Sequence, residues 1–317
     1  MRRTTLSAAL MLAASVAPAA AADLMYKAPP APPPPAPSMF DIAFGAGVAS
    51  DYNFRGISQS DRGPSVSAYF EPRFKITPNF ELYAGIGALS VKLPTDPTAE
   101  VDLYAGIRPT FGPLSFDFGL LYYYYPKESQ VFVLPTLGPV GFGFPTTQPG
   151  GNPAYVPWTK ANTDFLEFYA KAAYVFADIV TVGANLFYAD DWLNTGAHGT
   201  YASLTAKVAA PSGLFGPDLG AYASGELGRY WLGRTDAFFG NVQLPDYTYW
   251  NLGVGLTYKA FTLDFRYHDT NATQAECFVL TGDLNGLDTG SRPGRSRWCS
   301  SAFIVKLSAD TTLSALK

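Results

Sequence analysis

The chain has 317 residues, of which 48% are hydrophobic, 15% aromatic and only 15% charged, with a formal net charge of −4. Soluble globular domains carry about 25% charged residues, while disordered chains lack the apolar surface that 20 Tyr and 23 Phe supply here. Past the N-terminus no apolar run approaches the roughly 18 residues of a spanning helix, and a negative net charge gives no footprint for a nucleic-acid partner.

Arg2 and Arg3, the apolar stretch Leu6 to Val16 and the small residues Ala20-Ala21-Ala22 form, in that order, a secretory signal peptide over residues 1–22. The apolar stretch is too short to persist as an anchor, so the exported chain is expected to begin at Asp23. Residues 23–38 read as a Pro-rich periplasmic linker. Its prolines lack the backbone donors that sheet or helix requires and favour an extended spacer.

From residue 39 onward the dominant signal is two-residue alternation. Phe40, Ile42, Phe44, Ala46, Val48, Tyr52 and Phe54 fall on one face, with Asp41, Ala43, Gly45, Gly47, Asp51, Asn53 and Arg55 on the other. A second segment sets Val66, Ala68, Phe70, Phe74 and Ile76 against Ser65, Ser67, Glu71, Arg73 and Lys75. The third, fourth and fifth are centred on Leu82–Ile86, Leu103–Ile107 and Phe116–Leu120. Further segments start near Asp164, Ile179, Thr200, Asp218, Tyr247, Phe261 and Ser300, giving twelve.

Tight connections at Thr77-Pro78-Asn79, Gly112-Pro113, Ala177-Asp178 and Lys259-Ala260, with a slightly longer one near Pro211–Pro217, alternate with long ones. The longest are Pro126–Asn162, which includes Pro135, Pro139, Pro145, Pro149 and Pro153, and Asn271–Trp298. Short turns alternating with long loops, on an even number of strands, predict an all-β fold. The expected architecture is a transmembrane antiparallel up-and-down β-barrel over residues 39–317, with turns and both termini periplasmic and loops extracellular. Closure removes the sheet edge that hydrocarbon cannot satisfy. Two aromatic girdles are expected, one from Tyr122 to Tyr125, Tyr188, Trp192, Tyr230, Trp231 and Trp250, the other from Phe74, Phe80, Phe111, Phe176, Tyr258 and Phe261.

With the apolar face toward lipid, the polar face lines the lumen. It offers the acids Glu71, Asp102, Asp117, Glu167, Glu226 and Asp264, and the bases Arg73, Arg108, Lys171, Lys207, Arg266 and Lys306. Equal numbers argue against strong ion selectivity. Such a lumen conducts, or is filled by its own ion pairs. Twelve strands fall between eight, which side chains fill, and sixteen, which leave an aqueous channel.

Cys277 and Cys299, 22 positions apart in or beside the last long loop, are expected to form a disulfide in an oxidising compartment. Neither has a His nearby, so no metal is expected. His198 and His268 are isolated, and no nucleophile–base or phosphate-loop motif is present; no catalytic residue and no cofactor are assigned.

The stretch Ser50-Asp51-Tyr52-Asn53-Phe54-Arg55-Gly56-Ile57-Ser58-Gln59-Ser60-Asp61, followed by Pro64 to Phe70, resembles the N-terminal hallmark of the TorF family of porin-like outer-membrane proteins. That family is also described as a bacterial outer-membrane family of unknown function. The resemblance implies a porin-type protein and supplies no catalytic residue or substrate. The ending Leu313-Ser314-Ala315-Leu316-Lys317 departs from the C-terminal aromatic of many such barrels, and the cysteine loop is an elaboration. Asp51, Asn53 and Arg55 are read as a polar cluster at the mouth, either recognising solutes or pinning the first loop through an Asp–Arg pair.

The functional expectation is a bacterial outer-membrane porin for passive diffusion of small hydrophilic solutes. Its partners would be outer-membrane lipid, lipopolysaccharide and the barrel-assembly machinery, with the oligomeric state open. The alternative is a non-conducting surface protein that binds partners through its long loops.

Overall fold

In the computed structural model, residues 39–133, 156–211, 213–287 and 293–316 are described. The signal peptide, the proline linker and the five prolines of the longest loop lie outside them. Twelve strands close into a single antiparallel barrel in which each pairs with its chain neighbours. They are β1 (Phe40–Ala49), β2 (Ser65–Thr77), β3 (Phe80–Leu89), β4 (Glu100–Phe111), β5 (Leu114–Tyr124), β6 (Phe165–Phe176), β7 (Val180–Ala189), β8 (Gly199–Ala209), β9 (Leu219–Leu232), β10 (Tyr247–Tyr258), β11 (Phe261–Thr270) and β12 (Ala302–Thr312). The register Ala43↔Thr312 to Ala49↔Lys306 joins the last strand to the first.

Alternation decides which face of each strand meets which medium. Phe70, Ile86, Leu120, Phe168, Leu204 and Leu252 all point outward and are exposed. An apolar outer band over a polar interior is the arrangement of an outer-membrane-type barrel and the reverse of a soluble one. The turns end where the local chemistry demands. At Gly112-Pro113, Gly112 takes φ 60°, the left-handed first position of a two-residue hairpin loop, and proline fixes the second. After β12, the Ser314 hydroxyl donates to Asp41 Oδ2 at 2.5 Å, tying the chain end to the start of β1.

The predicted girdles are half right. Phe74, Phe80, Phe111, Phe176, Tyr258 and Phe261 ring the turn end outside, and Tyr124, Tyr188, Trp231 and Trp250 ring the loop end. Tyr123, Tyr125, Trp192 and Tyr230 are instead buried in the interior beneath the loops. Tyr123 and Tyr230 occupy the inward phase of their strands, which overrides proximity to the strand end.

The lumenal wall is faced with tyrosines that lie over glycines of neighbouring strands: Tyr83 over Gly106, Tyr104 over Gly85, Tyr169 over Gly119 and Tyr222 over Gly255. A ring covering a glycine in the adjacent strand restores packing that the missing side chain forgoes. A Cβ at residue 255 would collide with the Tyr222 ring. Gly255→Ala should therefore displace that ring, break the 2.7 Å hydrogen bond from the Tyr222 hydroxyl to Asp264 and cost about 1–3 kcal/mol. A lower urea midpoint of the folded protein in lipid vesicles is the expected reading.

Candidate functional site

β1 stops at Ala49, and the following segment does not continue up the wall. It folds back into the barrel as a hairpin pairing Asn53–Phe54 with Ile57–Ser58. Its two-residue turn is Arg55-Gly56, with φ 48° and 92°. A hairpin turn with both residues left-handed suits glycine at 56 but strains an arginine at 55. The strain is outweighed by what Arg55 reaches. Its Nη1 and Nη2 donate to Glu167 Oε1 and Oε2 of β6 at 2.6 and 2.8 Å, and Nη1 also to the Tyr230 hydroxyl of β9 at 3.0 Å. The guanidinium lies 4.4 Å from the ring centre of Phe187 and 4.6 Å from that of Tyr201. Glu167 is 0% exposed.

The rest of the hairpin meets the remaining wall. The Tyr52 hydroxyl donates to Glu100 of β4 at 2.5 Å, and Tyr125 donates to the other oxygen of that carboxylate at 2.8 Å. Phe54 packs edge-on against Tyr123 of β5. Gly56 sits so close to Tyr249 and Thr270, of β10 and β11, that any Cβ would collide with both. A segment touching β4 through β11 crosses the lumen, and the hairpin is thus a plug at the loop end.

This corrects two expectations. Tyr52 and Phe54, assigned to the lipid face, point inward, because the chain leaves the wall after Ala49 and the wall's alternation no longer applies. Arg55 does pin the loop, but its partner is Glu167 across the lumen and not Asp51. Asp51 instead accepts from the Ser58 and Ser60 hydroxyls at 2.6 and 2.9 Å. Burial pushes its carboxyl above the usual range despite those donors. Asn53 Oδ1 accepts from the Gly56 backbone N–H at 2.9 Å, bracing the turn.

All twelve predicted lumenal charges lie on inward strand positions, but they are not spread as a uniform lining. Arg108 is the hub of a cluster at the turn end. It donates to both oxygens of Glu71 (2.8 and 3.1 Å), to Glu81 (3.3 Å) and to Asp117 (3.5 Å), and lies 3.6 Å from the Tyr83 ring centre. Arg73 adds a 2.5 Å bond to Glu71, and the Tyr83 hydroxyl meets both Asp117 and Tyr169. A second cluster joins Arg266 to Asp264 (2.9 Å) and Asn251 (2.6 Å), and Tyr201 to Glu226 (2.7 Å). His268 Nδ1 shares a hydrogen bond with the Tyr249 hydroxyl. Lys171 and Lys207 make no ion pair within 4 Å among the described residues and lie over the Tyr169 and Tyr222 rings. Lys306 is exposed to the lumen. Asp102 Oδ1 has no hydrogen-bond partner among the described residues.

Two polar spaces lie among the described residues. One, of about 500 Å3, opens at the turn end between Arg73, Lys75, Glu81, Arg108, Asp117 and Lys171. The other, of about 220 Å3, lies beside the plug between Asp51, Asn53, Asp264, Arg266, His268 and Lys306. Asp51 Oδ2 and Asn53 Nδ2 are buried there without a partner among the described residues. Glu100, Tyr123, Tyr201 and Tyr230, which complete the plug's socket, were absent from the sequence-based site. Inward phase was the available signal, since each occupies the same face as a predicted lumenal charge.

The last long loop braces the plug from above. Cys277 and Cys299 are disulfide-bonded, and Cys277 lies within a helix, α1 (Gln274–Thr281), opened by a Thr273–Glu276 capping box. The Ser58 backbone N–H donates to Trp298 O at 2.9 Å, and Arg62 reaches Ser300 O and Ser301 O, each at 2.6 Å. Closing a loop of this length is worth about 3 kcal/mol. Reduction should therefore lower thermal stability and raise hydrogen exchange at residues 56–62 as well as within the loop itself, as measured by exchange mass spectrometry with and without reductant.

Residues 34–133 match a family described as a bacterial protein of unknown function (Gcw_chp). No curated protein sequence matches the chain. Among solved structures the chain is similar to the COG4313 outer-membrane channel from Pseudomonas putida F1, with 10% identity, TM-score 0.43 and coverage of 88% of this chain and 97% of that one. It is also similar to the NanC porin (8% identity, TM-score 0.41, 85% and 98%) and to LpxR from Salmonella typhimurium (9% identity, TM-score 0.38, 84% and 99%).

Proposed function

We propose that the chain is an outer-membrane channel of the TorF porin type that passes small hydrophilic solutes by diffusion, with its lumen narrowed by the Arg55 hairpin. The observation that carries this reading is the pair of charge-lined polar spaces in the lumen, one beside the plug and one at the turn end. A barrel serving only as scaffold has no use for open polar space in its lumen, whereas a hydrated solute can pass through it. In this reading the long loops face the outside and the turns, termini and proline linker the periplasm. Asp51, Asn53, Asp264, Arg266, His268 and Lys306 would contact the solute first, and the Arg108 cluster would set the field at the exit. Lipopolysaccharide would surround the loop end, and no catalytic step is assigned to any of these groups.

The second reading, a non-conducting surface protein, is favoured by the plug itself, whose Arg55–Glu167 pair is buried in the lumen. Single-channel recording of the folded protein in planar bilayers separates the two. Small, voltage-stable steps are expected. Silence from protein shown to be folded by heat-modifiable gel mobility would establish the second.

A further inference from the structure

Above the plug, the loops enclose a space different in kind from the polar ones. It has a volume of about 100 Å3, and its lining combines aromatic and aliphatic side chains, among them Phe54, Ile57, Phe165, Trp192, Tyr247 and Leu280, with the neutral polar Gln59 and four threonines, and contains no charged side chain among the described residues. Two residues of its lining each carry a polar atom that is left over. Trp192 Nε1 and the Tyr247 hydroxyl have no hydrogen-bond partner among the described residues, although Trp192 is 4% and Tyr247 1% exposed. Both rings are fixed by their neighbours: Trp192 packs edge-on against Tyr230, and Tyr230 packs tilted against Tyr247. Buried indole N–H and phenol groups are ordinarily paired.

We infer that this space is a binding site for a neutral aromatic molecule about the size of benzene that carries a hydroxyl or carbonyl oxygen. The aromatic part of the wall suits a flat apolar body, and cavities of this order, near 150 Å3, take up benzene when their lining is apolar. A ligand that reaches the indole N–H must bring an acceptor, because that group can only donate, and the Tyr247 hydroxyl can accept from a ligand hydroxyl or donate to its oxygen. The absence of charge around the site disfavours an ionised ligand, whose desolvation nothing here would offset. The site is walled by Phe54 and Ile57 of the plug hairpin, by Leu280 of α1 and by Trp298 beside the disulfide, so occupancy would bear on the elements that hold the lumen closed.

The test uses the full folded chain in lipid nanodiscs, with phenol and toluene as probes, read by saturation-transfer NMR against empty discs. Phenol should bind above the empty-disc background. Trp192→Phe and Tyr247→Phe keep the ring bulk and remove the polar atom. Each should weaken phenol by about three- to tenfold and leave toluene unchanged, whereas Leu280→Trp, which fills the space, should abolish both signals. The inference is overturned if phenol shows no excess over empty discs, or if both conservative variants bind phenol like the parent protein. Because the readout is binding and not current, it stands or fails separately from conduction.

Discussion

Arg55→Ala should both destabilise the barrel and raise its conductance, a combination that few single substitutions produce. The bidentate pair with Glu167 sits where that carboxylate is wholly buried. Removing one partner leaves an uncompensated buried charge, which costs about 3–5 kcal/mol. Glu167 would keep its bond from the Tyr123 hydroxyl at 3.0 Å, which is too little to replace a guanidinium. The hairpin would at the same time lose its one charged anchor in the lumen, along with the ring contacts of Phe187, Tyr201 and Tyr230.

The two effects are separable. In Arg55→Met/Glu167→Gln neither charge of the pair remains, so most of the stability should return, whereas the hairpin remains unanchored and conductance should stay high. Urea midpoints and single-channel steps for the parent, the single and the double variant together test the assignment. If the double variant recovers stability and also the parent's conductance, the pair is structural only and the plug is held by other contacts.

How much of this was legible in the sequence follows from which interactions are local. Strand alternation and turn chemistry depend on near neighbours, so the barrel, its tight turns and the inward placement of the charges could be read directly. The plug could not. Phe40 to Phe54 keep one period-two phase across a break in the wall, because a hairpin strand alternates just as a barrel strand does. Only the partners of Arg55, from 112 to 175 positions away, show that the segment turned inward. Two signals went unused. Arg55-Gly56 between Phe54 and Ile57 has the form of a two-residue hairpin turn, and Thr273 with Glu276 three residues on has that of a capping box. The balance of lumenal charge misled for a different reason. Composition counts charges, whereas the lumen sorts them into neutral pairs such as Arg266–Asp264 and lysines such as Lys171 that have no ion pair among the described residues.

That sorting makes Arg108 the position where selectivity and stability should change together. The turn-end space is bordered by Arg73, Lys75, Arg108 and Lys171 against Glu81 and Asp117, with Glu71 behind Arg73 and Arg108. The excess is positive, and a conducting protein should favour anions weakly. Arg108→Ala removes the one group that bridges Glu71, Glu81 and Asp117. Buried Glu71 keeps Arg73 as its one ion pair among the described residues, and Glu71, Glu81 and Asp117 then balance Arg73, Lys75 and Lys171, so the positive excess is gone. Reversal potentials in a salt gradient should then shift toward cation preference, and the urea midpoint should fall by an amount equivalent to several kcal/mol, the order seen when a buried pair loses one partner. Arg108→Lys distinguishes charge from geometry. It keeps the positive field, so anion preference should survive, but an ammonium cannot hold three carboxylates as a planar fork does, so part of the stability loss should remain. An unchanged reversal potential in a conducting Arg108→Ala protein would mean that ions do not pass this cluster, and the path would have to be sought along β11, β12 and β1, where Lys306 faces the lumen.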